Sequence, residues 1–468
     1  MGKMNNYSNF LDMKTHYGAD SGFDPVWMPD KLFGFQQALT TWAIRKGRAA
    51  IFADCGLGKT FMQLVWAENV ARHTGKRVLI LTPLAVAFQT VKEGEKIGVE
   101  VIHRREGMKA GDKIIVTNYE RLHYFDPDDY AAVVCDESSI LKNFDGKTKQ
   151  AVTDFMRKRP YRLLCTATAA PNDYIELGTS SEALGDLGMI DMLGRFFTNK
   201  QKTVKPSIYR HRGQNFHQLE EDNKWNLRPH AQRDFWRWVV SWARAIRKPS
   251  DLGFSDDGFD LPPLLVRDHV VKATKPRNGM LFDIPAIGLD EQRQDLRNTI
   301  EERCEMAAEL VNSHDRSAVA WCNLDEEGAR LEKKIRGAVE VSGSDAEERK
   351  EEVFTAFVRG DVRVLVTKPT IGGFGLNFQH CAHETFFPSH SYEQYYQAAR
   401  RCYRFGQKNQ VIIDMITTDG QSNVLNNLNT KAKNADTMFD NLVQLMQSEL
   451  KIERAKAFEN PVTLPAWL

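Results

Sequence analysis

The chain has 468 residues, of which 42% are hydrophobic and 27% are charged, and its formal net charge is +1. This composition is typical of a soluble globular protein of two or three domains. The sequence has no secretory leader pattern and no apolar run of about 18 residues, so we expect a cytoplasmic protein rather than a secreted or membrane-spanning one.

Short apolar segments, each predicted to be a buried strand, alternate with helical segments through the first part of the chain. These segments are Ala49 to Phe52, Arg77 to Thr82, Lys113 to Thr117, Ala131 to Cys135 and Arg162 to Thr166. A second series follows after a gap, at Leu264 to Val271, Ser317 to Cys322, Ala338 to Val341, Val362 to Thr367, Glu384 to Phe387 and Gln410 to Thr417. Apolar strands separated by helices are typical of a parallel sheet covered on both faces. The pattern therefore predicts an α/β fold with two parallel-sheet lobes.

The segment Ala53 to Thr60, with the sequence ADCGLGKT, joins the first predicted strand to a helix that we expect to begin at Lys59. Gly56 and Gly58 have no side chains, so backbone N–H groups can close around phosphate oxygens at the positive end of the helix dipole. Lys59 is predicted to reach the β- and γ-phosphates, and the Thr60 hydroxyl is predicted to bind Mg²⁺. The segment therefore predicts a nucleotide polyphosphate site.

Two consecutive acidic residues, Asp136 and Glu137, follow the strand that is predicted to end at Cys135. Phosphoryl transfer to water needs one carboxylate near Mg²⁺ and a second group that orients or deprotonates the attacking water. Asp136 fits the first role and Glu137 the second, although a paired acid at a strand end can also be a surface turn. Because a phosphate loop lies upstream, we favour the catalytic interpretation.

The stretch from Leu177 to Pro263 breaks the alternation of strands and helices. Its part from Arg195 to Lys248 holds 13 Lys and Arg against four Asp and Glu, which suits a polyanion or a solvated helical surface. The spacing predicts an amphipathic helix over Gln232 to Lys248, whose tryptophans either pack in a core or stack on bases. The segment Lys248 to Pro263 is rich in Gly, Pro, Asp and Ser, and we interpret it as an interdomain linker.

Several segments of the first lobe resemble the motifs of superfamily 2 helicases and translocases, and more narrowly those of the Swi/Snf-type DNA-dependent ATPases. The segments are LFGFQQ around Gln36, LTPLA from Leu81, TNYERL from Thr117, DESSILKN from Asp136 and TATAAPN from Thr166. Lys142 and Asn143 trail the acidic pair as they do in the Swi/Snf subgroup. Ser139 departs from the family pattern, which has a histidine at this position.

Four segments of the second lobe are similar to further motifs of the same family. They are AWCN from Ala320, VSGS from Val341, IGGFGLNF from Ile371 and QAARRCYRFGQ from Gln397. The last segment places Arg401 and Arg404 on the family's two arginine-finger positions, and Arg400 stands where the family has an aspartate. The resemblance implies that these finger arginines reach the nucleotide from across a cleft.

The resemblance implies two RecA-like lobes with a helical, basic and aromatic-rich insertion between them, and domain limits of 1–180, 181–263 and 264–468. The implied catalytic residues are Lys59, Asp136, Glu137, Arg401 and Arg404. The residues implied for ATP are Gln36, Gly56, Gly58, Lys59, Thr60 and Gly373, and those for Mg²⁺ are Thr60 and Asp136. The residues implied for nucleic acid are Thr82, Pro83, Asn118, Tyr119, Ser342, Ser344 and Asn377.

The function implied by the resemblance is an ATP-dependent DNA translocase or helicase, in a bacterial or phage-infected cell. Its cofactors would be ATP and Mg²⁺, and its partner duplex or branched DNA, with RNA left open, no membrane and no protein partner identified. Two alternatives stay open at this point. One is a strand-separating or branch-migrating helicase of recombination, repair or replication, and the other is a nucleic-acid-binding subunit without hydrolysis.

Overall fold

A computed structural model of the chain describes residues 20–83, 86–142, 146–170, 173–199, 225–272, 296–372, 376–418 and 421–459. Gly373, predicted to contact ATP, and Asn143 of the Swi/Snf pattern lie outside these ranges. The helices are α1 (Gly34–Lys46), α2 (Lys59–Thr74), α3 (Ala87–Ile97), α4 (Lys147–Arg157), α5 (Glu176–Leu184), α6 (Met189–Phe196), α7 (Gln232–Trp242), α8 (Ile300–Asn312), α9 (Asp325–Lys334), α10 (Glu347–Arg359), α11 (Pro369–Gly372), α12 (Tyr392–Cys402) and α13 (Ser422–Glu459). The strands are β1 (Arg48–Ala53), β2 (Arg77–Thr82), β3 (Ile102–His103), β4 (Ile114–Asn118), β5 (Tyr130–Asp136), β6 (Tyr161–Thr166), β7 (Phe197–Asn199), β8 (Trp225–Leu227), β9 (Ala243–Ile246), β10 (Leu265–Val271), β11 (Ala318–Trp321), β12 (Ala338–Val341), β13 (Val364–Thr367), β14 (His383–Phe386) and β15 (Ile412–Thr418).

The first lobe is built on a seven-stranded parallel sheet with the strand order β3-β4-β2-β5-β6-β1-β9. Successive side chains of β1 enter different cores, with Ala50 and Phe52 on one face and Ile51 and Ala53 on the other. This alternation follows from the period of two along a strand, and helices cover both faces. The carboxyl ends of β1, β5 and β6 therefore meet at one edge, where the predicted site residues follow them.

The second lobe has a six-stranded parallel sheet with the order β10-β15-β14-β11-β13-β12. It too is buried on both faces, since Val319 and Trp321 belong to one core and Ala318 and Ala320 to the other. The predicted fold class, an α/β protein with two parallel-sheet lobes, is confirmed.

The described part of the predicted insertion belongs to the first lobe. The helix α7 ends at Trp242 rather than continuing to Lys248, because Ala243 is extended and the following residues pair in parallel with β1 as strand β9. Long-range pairing at the edge of the sheet overrides the helical period here. Sequence periodicity does not detect such pairing. The domain limits stay a proposal, with this strand assigned to the first lobe.

The tryptophans of α7 are core residues. Trp236, Trp238 and Trp242 are each 2% exposed, and they pack in the same hydrophobic core as Phe52. Of the two interpretations of these side chains, core packing is the one that the structure supports, and base stacking is excluded for them.

The last described helix, α13, connects the two lobes. Its first part buries Val424 and Leu428 in the core of the second lobe, whereas Phe439 and Leu442 enter a core of the first lobe. This helix spans 38 residues and ends at Glu459. None of the helices within the described ranges is long and apolar enough to cross a membrane.

Candidate active site

The phosphate loop follows β1 and leads into α2, which begins at Lys59 as predicted. Gly56 and Gly58 have φ values of 88° and 76°, a left-handed backbone that disfavours residues with a side chain. A Cβ atom on Gly58 would collide with Gln36 Nε2, and one on Gly56 would lie 2.7 Å from the backbone N of Phe405. Both glycines are therefore required by backbone conformation and by close neighbours.

Gln36 supports the phosphate loop from α1. Its Nε2 donates to the carbonyl O of Leu57 at 3.0 Å, and its Oε1 accepts from the backbone N of Phe33 at 3.0 Å. The side chain is 3% exposed. The predicted contact of Gln36 with the nucleotide base stays a prediction, and the structure adds a second role, which is to hold the loop in shape.

Lys59 lies over the loop that precedes it. Its Nζ donates to the carbonyl O of Ala53 at 2.8 Å and approaches that of Asp54 at 3.4 Å. An ammonium held by loop carbonyls is poised beside the position that the glycine backbone offers to a phosphate. Lys59 therefore lies at the phosphate loop, and its contact with the phosphates stays a prediction.

Asp136 ends β5 next to the loop and is buried. Its Oδ1 accepts a hydrogen bond from Gln63 Nε2 at 2.6 Å, and its backbone O accepts one from the Tyr119 hydroxyl at 2.6 Å. Burial raises the pKa of the Asp136 carboxyl to about 6. Gln63 was not predicted as a site residue. Its position one helical turn after Lys59, on the side of α2 that faces β5, is the sequence feature that could have indicated it.

Glu137 has a φ of 55°, and among the described residues it is the one non-glycine residue in the left-handed region. Its Oε1 accepts hydrogen bonds from the hydroxyls of Thr166 at 2.6 Å and Ser139 at 3.2 Å. Ser139, which replaces the family histidine, therefore still contacts the acidic pair. Thr166 begins the TATAAPN segment, so the carboxylate is connected directly to the next motif.

The two finger arginines lie on α12 and just after it. Arg401 and Arg404 both donate to the carbonyl O of Leu376, at 3.1 and 3.2 Å, and Arg401 Nε also donates to the carbonyl O of Gln397. Burial lowers the pKa of the Arg404 guanidinium to about 10, and its Nε has no hydrogen-bond partner within the described structure. The neighbouring Phe405 packs against Gly56, so this segment lies directly against the phosphate loop.

A contact between the lobes that the sequence did not predict joins Asp54 of the loop to α12. Arg400 Nη2 lies 3.1 Å from Asp54 Oδ2, and the Tyr396 hydroxyl donates to Asp54 Oδ1. A second ion pair across the cleft joins Lys142 to Glu393. The sequence feature that could have indicated such a contact is Arg400, which stands where the family has an aspartate.

The donor set beside the loop fits Mg²⁺. A hydroxyl and a carboxylate are the hard oxygen ligands that this ion prefers, and a cation near Asp136 would favour the charged form of a carboxyl whose burial disfavours it. Within the described ranges, no group of three or more His, Cys, Asp or Glu side chains could hold a metal ion. Thr60 and Asp136 therefore suit an ion that takes its other ligands from phosphates and water.

No protein-family model matches the chain. The SWI2/SNF2 ATPase core of Sulfolobus solfataricus, solved in complex with double-stranded DNA, aligns with 91% of this chain and 96% of its own at 15% identity and a TM-score of 0.41. An uncharacterised ATP-dependent helicase of Bacillus subtilis (strain 168), YqhH, is 28% identical over 170 residues. This match spans 34% of the chain and 30% of the relative's length.

The chain resembles a superfamily 2 helicase of the Swi/Snf type. The motifs and the helicase match carry this resemblance, and the two-lobe fold accords with it. Residues assigned from helicase motifs alone, without a measured contact to a ligand, stay proposals.

The residues predicted from helicase motifs to contact nucleic acid separate into buried and accessible groups. The side chains of Thr82 and Tyr119 are 0% and 4% exposed and bond inside the lobe, and their contact with nucleic acid stays a prediction. Asn118 is also buried, but its Oδ1 has no hydrogen-bond partner in the described structure.

The remaining residues of this group are accessible. Pro83 and Asn377 are partly exposed, and Ser344 is exposed. The hydroxyls of Ser342 and Ser344 lie 2.9 Å apart, a pair that offers donors to a phosphate. These four residues keep their predicted role as a proposal.

Proposed function

We propose that this chain is a DNA-stimulated ATP hydrolase that translocates along DNA. The observation that carries the proposal is the contact of the arginine-finger segment with the phosphate loop, where Phe405 of the second lobe packs on Gly56 of the first. An active site shared between lobes in this way links each cycle of hydrolysis to a relative movement of the lobes.

In the proposed reaction, the loop backbone and Lys59 bind the phosphates, and Glu137 orients the attacking water and takes its proton. Mg²⁺, held by Thr60 and Asp136, would neutralise charge on the phosphate oxygens. Arg401 and Arg404 would stabilise the charge on the transferring phosphoryl group, a contribution of about 10³ to 10⁵ in rate where such arginines have been removed.

Two hydrogen bonds offer a route from DNA to the acidic pair. The Tyr119 hydroxyl, in the segment TNYERL, bonds the backbone of Asp136, and the Thr166 hydroxyl bonds Glu137. A shift of either segment on binding DNA would therefore move a catalytic carboxylate. This geometry supports stimulation of hydrolysis by DNA, with Tyr119 acting from inside the lobe rather than on the strand itself.

The structure gives less support to the two alternatives. Strand separation needs a wedge between the two strands, and the tryptophans of α7 cannot supply one because they are buried in the core. A subunit without hydrolysis has no need of the intact set Lys59, Asp136, Glu137 and Arg404, three of which lie at one sheet edge.

Translocation is tested apart from strand separation with two substrates. On a duplex carrying a third strand, the chain with ATP is expected to displace the third strand, whereas a forked duplex is expected to stay paired. Displacement of the fork without loss of the third strand would favour the strand-separating alternative. Failure on both substrates in a chain that hydrolyses ATP would refute translocation.

A further inference from the structure

Asp54 is an acidic side chain inside a phosphate loop. It is 8% exposed, and its Oδ1 accepts from the backbone N of Cys55 at 2.6 Å and from the Tyr396 hydroxyl. A carboxylate at this place would repel the phosphates of a nucleotide unless a cation compensates its charge.

Arg400 supplies that compensation from the opposite lobe. Its guanidinium lies 3.1 Å from Asp54 Oδ2, and it lies over the rings of Tyr396 and Tyr403, 5.0 and 5.1 Å from their centroids. A guanidinium between two rings and a carboxylate is held in one orientation, so the ion pair also fixes the position of α12 on the loop.

The same helix carries Arg401, and Arg404 follows just after the end of the helix. Arg401 follows Arg400 directly, and Arg404, three residues after Arg401, donates to the same carbonyl of Leu376 as Arg401 does. Any rotation of α12 that breaks the contact with Asp54 would therefore move both finger side chains. Their placement depends on a residue that does not itself need to touch the nucleotide.

We propose that Arg400 is a positioning residue. Its ion pair with Asp54 fixes the position of the second lobe against the first when the cleft is closed, and it compensates a negative charge in the phosphate loop. This inference rests on the proposed ATP hydrolysis. It predicts two separable effects, because alignment of the finger arginines governs kcat whereas the charge next to the phosphates governs KM for ATP.

The first experiment measures kcat and KM for ATP in Arg400→Gln, Asp54→Asn and the double variant. Arg400→Gln is expected to lower kcat on the order of 100-fold, because a small displacement of catalytic groups costs about that much in rate, and to raise KM. Asp54→Asn is expected to lower kcat without raising KM. In the double variant the raised KM returns towards the wild-type value, since no uncompensated carboxylate remains, and the kcat effects do not add.

Two further variants separate positioning from general damage. Arg400→Lys keeps the positive charge, so its KM for ATP is expected to lie close to the wild-type value. Arg359→Gln, on the exposed surface of α10, is expected to behave as the wild type. A KM that rises equally in Arg400→Gln and in the double variant would overturn the proposal.

A second readout does not depend on turnover. Cys55 is the one partly exposed cysteine among the seven, and the other six are buried. If the Asp54 contact holds the lobes together, a maleimide should modify Cys55 several-fold faster in Arg400→Gln than in Arg359→Gln, with or without ATP. Equal labelling rates would refute the contact, whereas faster labelling in a chain that never hydrolyses ATP would refute only the proposed function.

Discussion

Glu137 combines an unusual backbone with a specific set of partners. A φ of 55° is costly for a residue with a side chain, and such conformations concentrate at functional sites. Here the conformation turns the carboxylate towards Thr166 and Ser139 at the end of β5. The strain and the bonds together fix the carboxylate beside the phosphate loop.

We expect Glu137→Gln to lower the hydrolysis rate by about 10² to 10⁴, as for the loss of a general base, while leaving ATP binding intact. Single-turnover hydrolysis and binding of a fluorescent ATP analogue measure the two properties. The control is Glu95→Gln, an exposed position on α3, which should leave both unchanged. Turnover that persists in Glu137→Gln would remove Glu137 from its assigned role.

Glu384 is a buried carboxyl away from the phosphate loop. Its Oε2 accepts a hydrogen bond from Trp321 Nε1 at 2.6 Å, and burial raises its pKa to about 8 from the ordinary 4.5. Between these pH values the folded chain keeps a proton that the unfolded chain has released. Its contribution to the free energy of unfolding therefore falls as the pH rises, by at most about 1.4 kcal/mol per pH unit.

Glu384→Gln removes this proton and keeps an acceptor for Trp321. Urea titrations at two pH values inside that interval measure the free energy of unfolding. When the pH is raised, this free energy should fall less in Glu384→Gln than in the wild type. Glu348→Gln, exposed on α10, should follow the wild type. Identical pH slopes in Glu384→Gln and the wild type would contradict the buried neutral carboxyl.

At the scale of elements, the strands were the most predictable part of this chain. Central strands such as Arg77–Thr82 have apolar runs that are buried on both faces, so the sequence marks them almost residue by residue. The partly buried edge strand Ala338–Val341 also has the bounds that its sequence predicts. The phosphate loop was equally predictable from the sequence, since the conformation of its glycines and the start of α2 depend on neighbouring residues in the chain. The strand β9 was missed because its existence depends on pairing with β1, almost 200 positions earlier.

The site was predictable only where chemistry is local. The pair Asp54 and Tyr396 lies 342 positions apart, and nothing short of the folded contact reveals it. The burial of Tyr119 was not visible for a related reason, since a motif identifies a segment but not the direction of each side chain. The resemblance identified candidate segments, and the packing of the folded chain decides which of their side chains are exposed.

The helix α7 tests core packing against nucleic-acid stacking. Trp242→Ala is expected to lower the free energy of unfolding by about 3 to 5 kcal/mol, as for other buried aromatic side chains. Arg237→Ala, on the exposed side of the same helix, should change it by less than about 0.5 kcal/mol. Urea unfolding measures both. A Trp242→Ala chain of wild-type stability with impaired DNA binding would revive the stacking interpretation.

At the scale of the whole molecule, α13 couples the lobes that must move during the proposed cycle. It is anchored in the second lobe by Val424 and Leu428 and in the first by Phe439 and Leu442. Arg247 of the first lobe adds ion pairs to Asp436 and Asp440. Closure and opening of the cleft therefore have to bend or tilt this helix.

Leu442→Ala is expected to cost about 2 to 5 kcal/mol of unfolding free energy by leaving a cavity in the first lobe. The control is Gln444→Ala, two positions along on the exposed side, which should lie within about 0.5 kcal/mol of the wild type. Chemical denaturation followed by tryptophan fluorescence measures both. Equal stability of the two variants would show that α13 does not pack into that core.

The most direct test of the account is the rate of ATP hydrolysis by the purified chain with and without linear duplex DNA, at about 50 and about 200 mM salt because phosphate contacts are screened. We predict hydrolysis that DNA stimulates by an order of magnitude or more at the lower salt, less at the higher, and not at all in Lys59→Ala. Hydrolysis that is absent, or that proceeds at one rate whether or not DNA is present, would contradict the account.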